Sequence, residues 1–278
     1  MGKRRRSFLF GGLSLFFLTS RVIAQPVLAP IHPKFILFDV FGTCLEIRDS
    51  LIDSGNQWSQ TRGVSIDWSP LVDDWVSDHV ARVDAILEGQ APWTSIDAIH
   101  REALPGLLRR YAPGTTFTRA DREQINRFWH RLAPWPDAKA GLELMHSRFT
   151  LTAFTNANDT LLADLSRFAG FPWDRDISAQ SARRYKPDPA FYRYAAQTLN
   201  ARPDELLLVA AHPYDLRAAK RQGWRTALVI RPGETDDIDP RVAEREFDVV
   251  AKDFLDLDRR LGLSPSLTAD ALTLRIPN

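Results

Sequence analysis

The apolar residues of this chain divide it into a run of helices and a region in which strands and helices alternate. The continuous apolar run Phe35–Phe38 predicts a buried strand over residues 35–40. Apolar residues then recur at helical spacing, which predicts helices at about 71–87, 95–111 and 118–132. Pro105 should bend or split the second of these helices. Thr118, with Asp121 three residues on, predicts an N-terminal cap for the third.

After the sequence Pro134-Trp135-Pro136, strands and helices alternate. This alternation predicts a parallel, doubly wound α/β sheet. The helical block 49–133 is then a cap inserted into an α/β core formed by residues 35–48 and 134–263. The predicted core strands are 149–155, 176–179, 206–211, 225–230 and 247–251, and the predicted core helices are 160–168, 189–200, 212–222 and 254–261.

The first 24 residues have the character of an export signal. A basic cluster, Lys3 to Arg6, precedes an apolar stretch, and Val22-Ile23-Ala24 offers a cleavage site. The sequence Arg5-Arg6-Ser7-Phe8-Leu9 resembles a twin-arginine signal. The alternative is an uncleaved anchor, but the apolar stretch is short and interrupted by glycines. We expect a periplasmic protein with no stable membrane association after cleavage. Residues 25–34 would form a Pro-rich lead-in, and residues 264–278 a loosely held tail.

The composition and net charge of the chain give no indication that it binds nucleic acid. The chain is 44% hydrophobic and 26% charged, which is ordinary for a globular protein. Five of its 36 Lys and Arg residues, and none of its 35 Asp and Glu residues, lie in the first 24, so the remainder carries a net charge of −4. This balance gives no case for nucleic-acid binding. Cys44 is the only cysteine, which excludes an intramolecular disulfide. Its apolar surroundings favour a buried thiol over a nucleophile.

Four polar positions fall at or just beyond the ends of predicted strands: Asp39, the pair Thr155-Asn156, Lys186 and Asp215. Because parallel strands end at one edge of a sheet, these side chains are expected to converge there. Each has an ordinary alternative role as a helix cap, a turn residue or a surface charge. Their combined pattern favours a catalytic site with Asp39 at its centre.

These motifs make the chain similar to the haloacid dehalogenase superfamily, and most to the type II 2-haloacid dehalogenases. The resemblance covers roughly residues 35–232. It is carried by Phe38-Asp39-Val40-Phe41-Gly42-Thr43, Trp129-His130-Arg131-Leu132 with Pro134 to Asp137, Phe154-Thr155-Asn156, Tyr185-Lys186-Pro187-Asp188-Pro189 with Tyr192, and Val209-Ala210-Ala211-His212 with Tyr214-Asp215.

The resemblance implies a reaction and a role for each residue. Asp39 would attack the halogen-bearing carbon of a short 2-haloalkanoic acid, and water would hydrolyse the resulting ester to release the 2-hydroxy acid. Lys186 would keep Asp39 ionised, and Asp215 would help to activate the water. The remaining site residues would position Asp39 or the substrate, or form the walls of the site: Phe41, Thr43, Thr155, Asn156, Tyr192, His212 and Tyr214.

The residue at position 41 is the basis for expecting that the protein uses no metal and no cofactor. A metal-dependent phosphotransferase of this kind carries a second Asp at that position, whereas this chain has an aromatic residue. A halide leaves without protonation and no phosphoryl oxygens need neutralising, so we expect no metal and no cofactor. The expected partner is a small-molecule substrate. A homodimer is common in the family, although nothing in the sequence requires one.

Two positions depart from the family pattern. The family has an Arg directly after a Trp in the cap, whereas Val76 follows Trp75 here. His79 or Arg48 is a candidate to replace that Arg; otherwise the substrate has changed or the activity is weak or lost. His212 stands in a motif where Ser and Asn are common, and we expect it to bind Lys186 or Asp215, or to be structural. The alternatives to a dehalogenase are therefore a phosphatase of the same fold and a non-catalytic protein.

Overall fold

The core of the protein is a six-stranded parallel sheet with strand order β3-β2-β1-β4-β5-β6. The structure, a computed structural model, describes residues 33–235 and 238–262. Helices connect the strands, so the predicted α/β fold with a parallel sheet is confirmed. The strands are β1 (Phe35–Phe38), β2 (Thr150–Thr155), β3 (Arg175–Ser178), β4 (Leu206–Ala210), β5 (Arg225–Val229) and β6 (Val249–Ala251).

The two central strands place the site in the middle of the sheet. β1 is paired in parallel with β2 on one side and with β4 on the other. β4 consists of apolar residues that are all fully buried, as is expected of a parallel strand covered on both faces. The chain moves outward from β1 to β3 in one direction and from β4 to β6 in the other. The carboxyl ends of β1 and β4 therefore flank a topological switch point, where open α/β sheets bind ligands.

Among the described residues after position 133, seven α-helices lie around the sheet. Helices α5 and α11 pack against each other, and α8 packs against α9. A short 3-10 helix, Pro203–Glu205, precedes β4. The helices are α5 (Ala138–His146), α6 (Asp159–Ala169), α7 (Ala179–Ala182), α8 (Pro189–Thr198), α9 (Pro213–Arg221), α10 (Pro240–Glu246) and α11 (Phe254–Gly262).

Four helices lie between β1 and α5 and contact one another. They form a block whose interior is rich in aromatic side chains, including the fully buried Trp75 and Trp129. Gly55 permits a close approach within this block, because a Cβ atom there would lie 2.2 Å from the Trp68 ring. The helices are α1 (Arg48–Arg62), α2 (Trp68–Leu87), α3 (Ile96–Tyr111) and α4 (Arg119–Asn126), followed by a 3-10 helix at Arg127–Arg131.

The helices of this block differ from the sequence expectations in three respects. Pro105 does not split α3, because the buried apolar face of the helix, which includes Ile99 and Leu104, holds it together; the bend that was the other expectation stays a prediction. The capping box of Thr118 and Asp121 is confirmed, but α4 ends at Asn126 and continues as a 3-10 helix. Such tightened turns are common at helix ends, and Pro134 requires extended chain just beyond. Helix α1 was not predicted separately, because its sequence is mostly polar.

The predicted export signal and the predicted tail lie outside the described residues and stay predictions. Across residues 33–235 and 238–262, the longest helices are too short or too polar to cross a bilayer.

Candidate active site

The predicted catalytic side chains meet at the carboxyl edge of the sheet. Asp39 directly follows β1, and Asp215 lies in the first turn of α9, just after β4. Lys186 lies in the loop between α7 and α8, where Pro187 disfavours helical backbone at the residue before it. All three side chains are almost completely buried, at 6%, 1% and 2% exposed for Asp39, Asp215 and Lys186 respectively.

Lys186 joins the two carboxylates. Its Nζ donates to Asp39 Oδ1 at 3.0 Å and to Asp215 Oδ2 at 2.6 Å. The ammonium group also lies 4.5 Å from the centroid of the Phe154 ring. Since buried charges are tolerated only when they are paired and hydrogen-bonded, this arrangement accounts for an ammonium group at the centre of the fold.

The charge balance of this cluster sets its protonation. Burial alone would raise the pKa of Asp39, but the charge of Lys186 and a hydrogen bond from His212 outweigh it and hold the pKa far below its usual value. Burial likewise opposes the charge of Lys186, yet Asp215 and Asp39 together raise its pKa. The pKa of Asp215 is raised by burial, which Lys186 only partly offsets. Asp39 is therefore an ionised carboxylate, and Asp215 is the more basic of the two.

The second oxygen of Asp39 has two further donors. Thr43 Oγ1 donates to Asp39 Oδ2 at 2.8 Å and in turn accepts the backbone N–H of Ala211. His212 Nδ1 lies 2.8 Å from the same Oδ2. With Lys186 bound to Oδ1, both oxygens of Asp39 have hydrogen-bond partners, which hold the carboxylate in one orientation.

His212 contacts a different partner from the one expected. The sequence pattern led us to expect a bond with Lys186 or Asp215, but the imidazole lies between Asp39 and Glu234, whose Oε2 is 3.7 Å from Nε2. Burial would lower the pKa of His212, but its contacts with Asp39 and Glu234 raise it to about 10. The ring is therefore a cation at neutral pH and donates to Asp39.

The pKa of His212 predicts a pH dependence of stability. Because the folded state binds this proton up to about pH 10 and an unfolded His releases it near 6.5, the stabilisation is complete below pH 6.5 and is lost towards pH 10. Denaturant unfolding from pH 6.5 to 10 should show a loss of up to about 1.4 kcal/mol per pH unit that the His212→Asn variant lacks. Equal slopes for the two proteins would contradict the assigned protonation.

The Thr155-Asn156 pair shapes the loop beside Lys186. Asn156 Oδ1 accepts the backbone N–H of Lys186 at 2.8 Å, which links the loop after β2 to the loop that carries the ammonium group. Thr155 Oγ1 accepts the backbone N–H of Ala157 at 3.1 Å. Thr155 is fully buried and holds the turn that presents Asn156.

The aromatic residues named in the sequence take different positions. Tyr192 is fully buried behind the site and donates to Asp215 Oδ1 at 2.5 Å. Tyr214 is 45% exposed, and its ring centroid lies 5.6 Å from that of His212. Phe41 packs edge-on against His79 and Trp129. Phe41 and Tyr214 thus border the site, whereas Tyr192 orients Asp215.

A cleft of about 460 Å³ opens above this cluster, between α2 and the loops of the core. The loops contribute polar groups and Pro187, the start of α9 contributes the ring of Tyr214, and α2 contributes a mostly apolar wall. The lining residues are His79, Val80, Val83, Asp84, Leu87, Asn156, Lys186, Pro187, His212 and Tyr214.

Of the two candidates to replace the missing cap Arg, His79 lines the cleft and Arg48 does not. Arg48 is instead bound to Ser69 and Asp73, in the first two turns of α2. Burial lowers the pKa of His79 to about 4, so its imidazole is neutral at pH 7. Val76 is half-buried and packs against the apolar core. The cleft therefore has an imidazole, but no guanidinium, on its α2 side.

Sequence reasoning missed two acidic residues of the site, Glu234 and Asp84. Glu234 lies in the loop after β5 and reaches over Gly42, where an added Cβ would lie 2.5 Å from its carboxylate. Its position after a parallel strand was the signal that could have identified it. Cys44 is fully buried, and burial raises the pKa of its thiol well above the ordinary value, so it is not a reactive thiolate.

The donor set of the cluster differs from a metal centre. Within the part of the chain that the structure describes, no group of three or more His, Cys, Asp or Glu side chains is arranged to hold an ion. The position two residues after Asp39 is filled by the buried ring of Phe41, which offers no oxygen ligand.

Comparisons with known proteins agree with this architecture. A family model described as haloacid dehalogenase-like hydrolase matches residues 33–223. A crystal structure of an L-2-haloacid dehalogenase is 38% identical, covers 84% of this chain and 100% of its own, and has a TM-score of 0.78. The (S)-2-haloacid dehalogenase 4A of Burkholderia cepacia is 23% identical over 211 residues, covering 71% of this chain and 83% of its own. A phosphoglycolate phosphatase of Neisseria gonorrhoeae is also 23% identical, over 69% of this chain and 78% of its own. The chain belongs to the haloacid dehalogenase-like hydrolases.

Proposed function

We propose that this protein is a hydrolytic dehalogenase that replaces the halogen on the carbon next to a carboxyl or carbonyl group by a hydroxyl group. A short 2-haloalkanoic acid is the simplest such substrate, and the 2-hydroxy acid its product. The observation that carries the proposal is the buried, ionised Asp39 held by Lys186 at 3.0 Å beside the apolar ring of Phe41. Asp39 is thus a carboxylate paired with a buried ammonium group, and the position two residues further along the chain holds an aromatic ring instead of a second Asp.

In the first step a carboxylate oxygen of Asp39 attacks the halogen-bearing carbon. The new carbon–oxygen bond forms as the carbon–halogen bond breaks, and the halide leaves with the bonding electrons. The hydrogen bonds from Thr43 and His212 and the ion pair with Lys186 hold the carboxylate in place for this attack. Halides are weak bases, so this step needs no proton donor.

In the second step water attacks the carboxyl carbon of the Asp39 ester. Once Asp39 has lost its charge, Asp215 is the remaining carboxylate partner of Lys186. Its raised pKa suits it to accept the proton of the water, and Tyr192 and Lys186 fix its orientation. The products are the hydroxylated compound, the halide and a proton, and Asp39 is restored.

The wall contributed by α2 gives this chemistry a sheltered cleft. Val80, Val83 and Leu87 face the loops that carry Lys186 and His212. Covalent catalysis by a carboxylate benefits from limited water, because the nucleophile reacts better when it is poorly solvated.

A phosphatase is the second candidate, because a phosphoglycolate phosphatase is among the relatives. Phosphoryl transfer in such a site relies on a cation to neutralise the phosphoryl oxygens. The apolar Phe41 stands where a carboxylate ligand for that cation would be needed.

A catalytically inactive protein is the third candidate, since Val76 leaves the cap without its Arg. The intact arrangement of Asp39, Lys186 and Asp215 favours activity.

Removal of divalent cations separates the first two candidates. Halide release from chloro-, bromo- and fluoro-substituted acids and their amides should be unchanged within about twofold in excess EDTA, because no step of the proposed reaction uses a metal. Phosphate esters with added Mg²⁺ serve as the comparison. Phosphate release that depends on Mg²⁺, without halide release, would replace the dehalogenase proposal by the phosphatase.

A further inference from the structure

The charged groups of the cleft do not provide a binding site for a substrate carboxylate. Its two cations are Lys186 and His212, and both already pair with carboxylates. Lys186 is bound to Asp39 and Asp215, and His212 lies between Asp39 and Glu234. Three carboxylates thus surround two cations before any substrate enters.

The α2 wall adds a negative charge to this balance. Asp84 is the charged residue that α2 contributes to the lining of the cleft. Beside it are the apolar Val80, Val83 and Leu87 and the imidazole of His79, which is hydrogen-bonded to His100 at 3.1 Å. Asp84 and the carboxylates paired with Lys186 and His212 make four carboxylates against two cations, so carboxylates outnumber cations in the cleft and directly beneath it.

Val76 lies on the same face of α2 as this wall, one turn before Val80. Residues four and seven positions apart lie on one side of a helix, so a long side chain at position 76 would start on the face whose Val80, Val83 and Leu87 line the cleft. Further cations lie in an adjacent cavity that shares Leu87 with the cleft: Arg183 stands over the Trp93 ring, and Arg184 pairs with Asp188 at 3.3 Å. Neither Arg lines the cleft itself.

We infer that the cleft selects α-halo carbonyl compounds whose carbonyl group is uncharged, such as 2-haloamides, over the corresponding 2-halocarboxylates. This inference rests on the proposed dehalogenase function and narrows its substrate class. A 2-halocarboxylate would bring a further negative charge next to Asp84 and Asp39 with no unpaired cation to receive it. A 2-haloamide adds no charge to the cleft.

The neutral groups of the cleft suit an amide. Asn156 uses its Oδ1 to accept the Lys186 N–H, so its amide NH₂ is available as a donor to a carbonyl oxygen. The neutral His79 offers a ring nitrogen that donates or accepts without carrying a charge. The reaction is unchanged: the carbon–halogen bond breaks, the halide takes the electron pair, and hydrolysis of the Asp39 ester yields the 2-hydroxyamide, halide and a proton.

The test compares 2-chloropropionamide with 2-chloropropionate in the full-length protein by halide release. We expect kcat/KM for the amide to exceed that for the acid by at least about tenfold. Because α-haloamides react intrinsically faster with nucleophiles, the decisive quantity is the change in this ratio in the Val76→Arg variant. We expect that variant to shift the ratio towards the acid by about tenfold or more. Ser77→Arg adds the same charge on the exposed side of α2 and should leave the ratio unchanged.

Salt provides a second readout. If repulsion excludes the acid, raising the ionic strength should increase kcat/KM for 2-chloropropionate in the wild-type protein and leave the amide unaffected. A wild-type preference for the acid, or an unchanged ratio in Val76→Arg, would overturn the inference while leaving the dehalogenase function intact. Absence of halide release from both compounds, with no ester on Asp39, would remove the proposed function and the inference together.

Discussion

Replacement of Asp39 by Asn should reduce halide release by about 10⁴-fold or more while the protein stays folded. An amide has almost the same shape as a carboxylate but is not a nucleophile towards carbon. Its oxygen still accepts from Thr43 and His212, whose contacts with Asp39 Oδ2 are both 2.8 Å. The measurement is halide release at saturating substrate, with circular dichroism and thermal unfolding to confirm the fold.

A matched substitution elsewhere controls for the loss of a carboxylate. Asp53 is an exposed residue of α1, and Asp53→Asn should retain wild-type activity. Undiminished halide release by Asp39→Asn would show that another group carries out the displacement, and the assigned nucleophile would be wrong.

Replacement of Lys186 by Met should cost both activity and stability. The change leaves Asp39 and Asp215 buried without the cation that lies 3.0 and 2.6 Å from them. Removing one partner of a buried ion pair typically costs about 3–5 kcal/mol, since the remaining charge stays unpaired. We expect a loss of this size in the free energy of unfolding at pH 8, and a fall in halide release of about 10²-fold or more.

The pH dependence of the Lys186→Met variant identifies the cause. Without Lys186 the buried carboxylates bind protons more tightly in the folded state than in the unfolded state, so the variant should recover stability as the pH falls. Urea unfolding at pH 5 and pH 8 measures this directly. Lys139→Met, at a side chain that is 58% exposed, is the control and should change the stability by less than about 0.5 kcal/mol. A Lys186→Met protein with wild-type stability at pH 8 would contradict the buried-pair account.

Much of the fold and the main candidate catalytic residues could be predicted because local sequence encodes them. The apolar run of β4 is fully buried, as is that of β1 from Ile36 on, and parallel strands bring the residues after them to one edge. The Pro187 that follows Lys186 indicated extended chain there, and Asp188 does accept the Ala190 N–H as the predicted cap of α8. Asp39, Lys186 and Asp215 therefore meet as the sequence indicated.

The partners of individual side chains could not be predicted in the same way. The direction of the His212 ring depends on its side-chain rotamer and on Glu234, which is 22 residues away in a loop without a motif. Thr155 and Tyr192 are in motifs of the resemblance, yet their hydroxyl groups bond to the Ala157 backbone and to Asp215. Tertiary packing fixes such contacts, and sequence spacing carries little information about them.

Cys44 lies five residues after Asp39 and could be mistaken for it in an experiment that detects a covalent intermediate. Trypsin cleavage after Lys34 and Arg48 releases one peptide that contains both Asp39 and Cys44. A mass increase on this peptide must therefore be assigned by fragmentation. The thiol is buried and donates to the Asp39 carbonyl oxygen at 3.2 Å, so alkylation of Cys44 is not expected in the folded protein.

A single turnover in H₂¹⁸O, with enzyme in excess over the halogenated substrate, tests the covalent mechanism most directly. If Asp39 forms the ester and water attacks its carboxyl carbon, the product hydroxyl carries unlabelled oxygen, and fragmentation of the tryptic peptide places one ¹⁸O on Asp39. If water attacks the substrate carbon instead, the product carries ¹⁸O and Asp39 remains unlabelled, which would contradict the account.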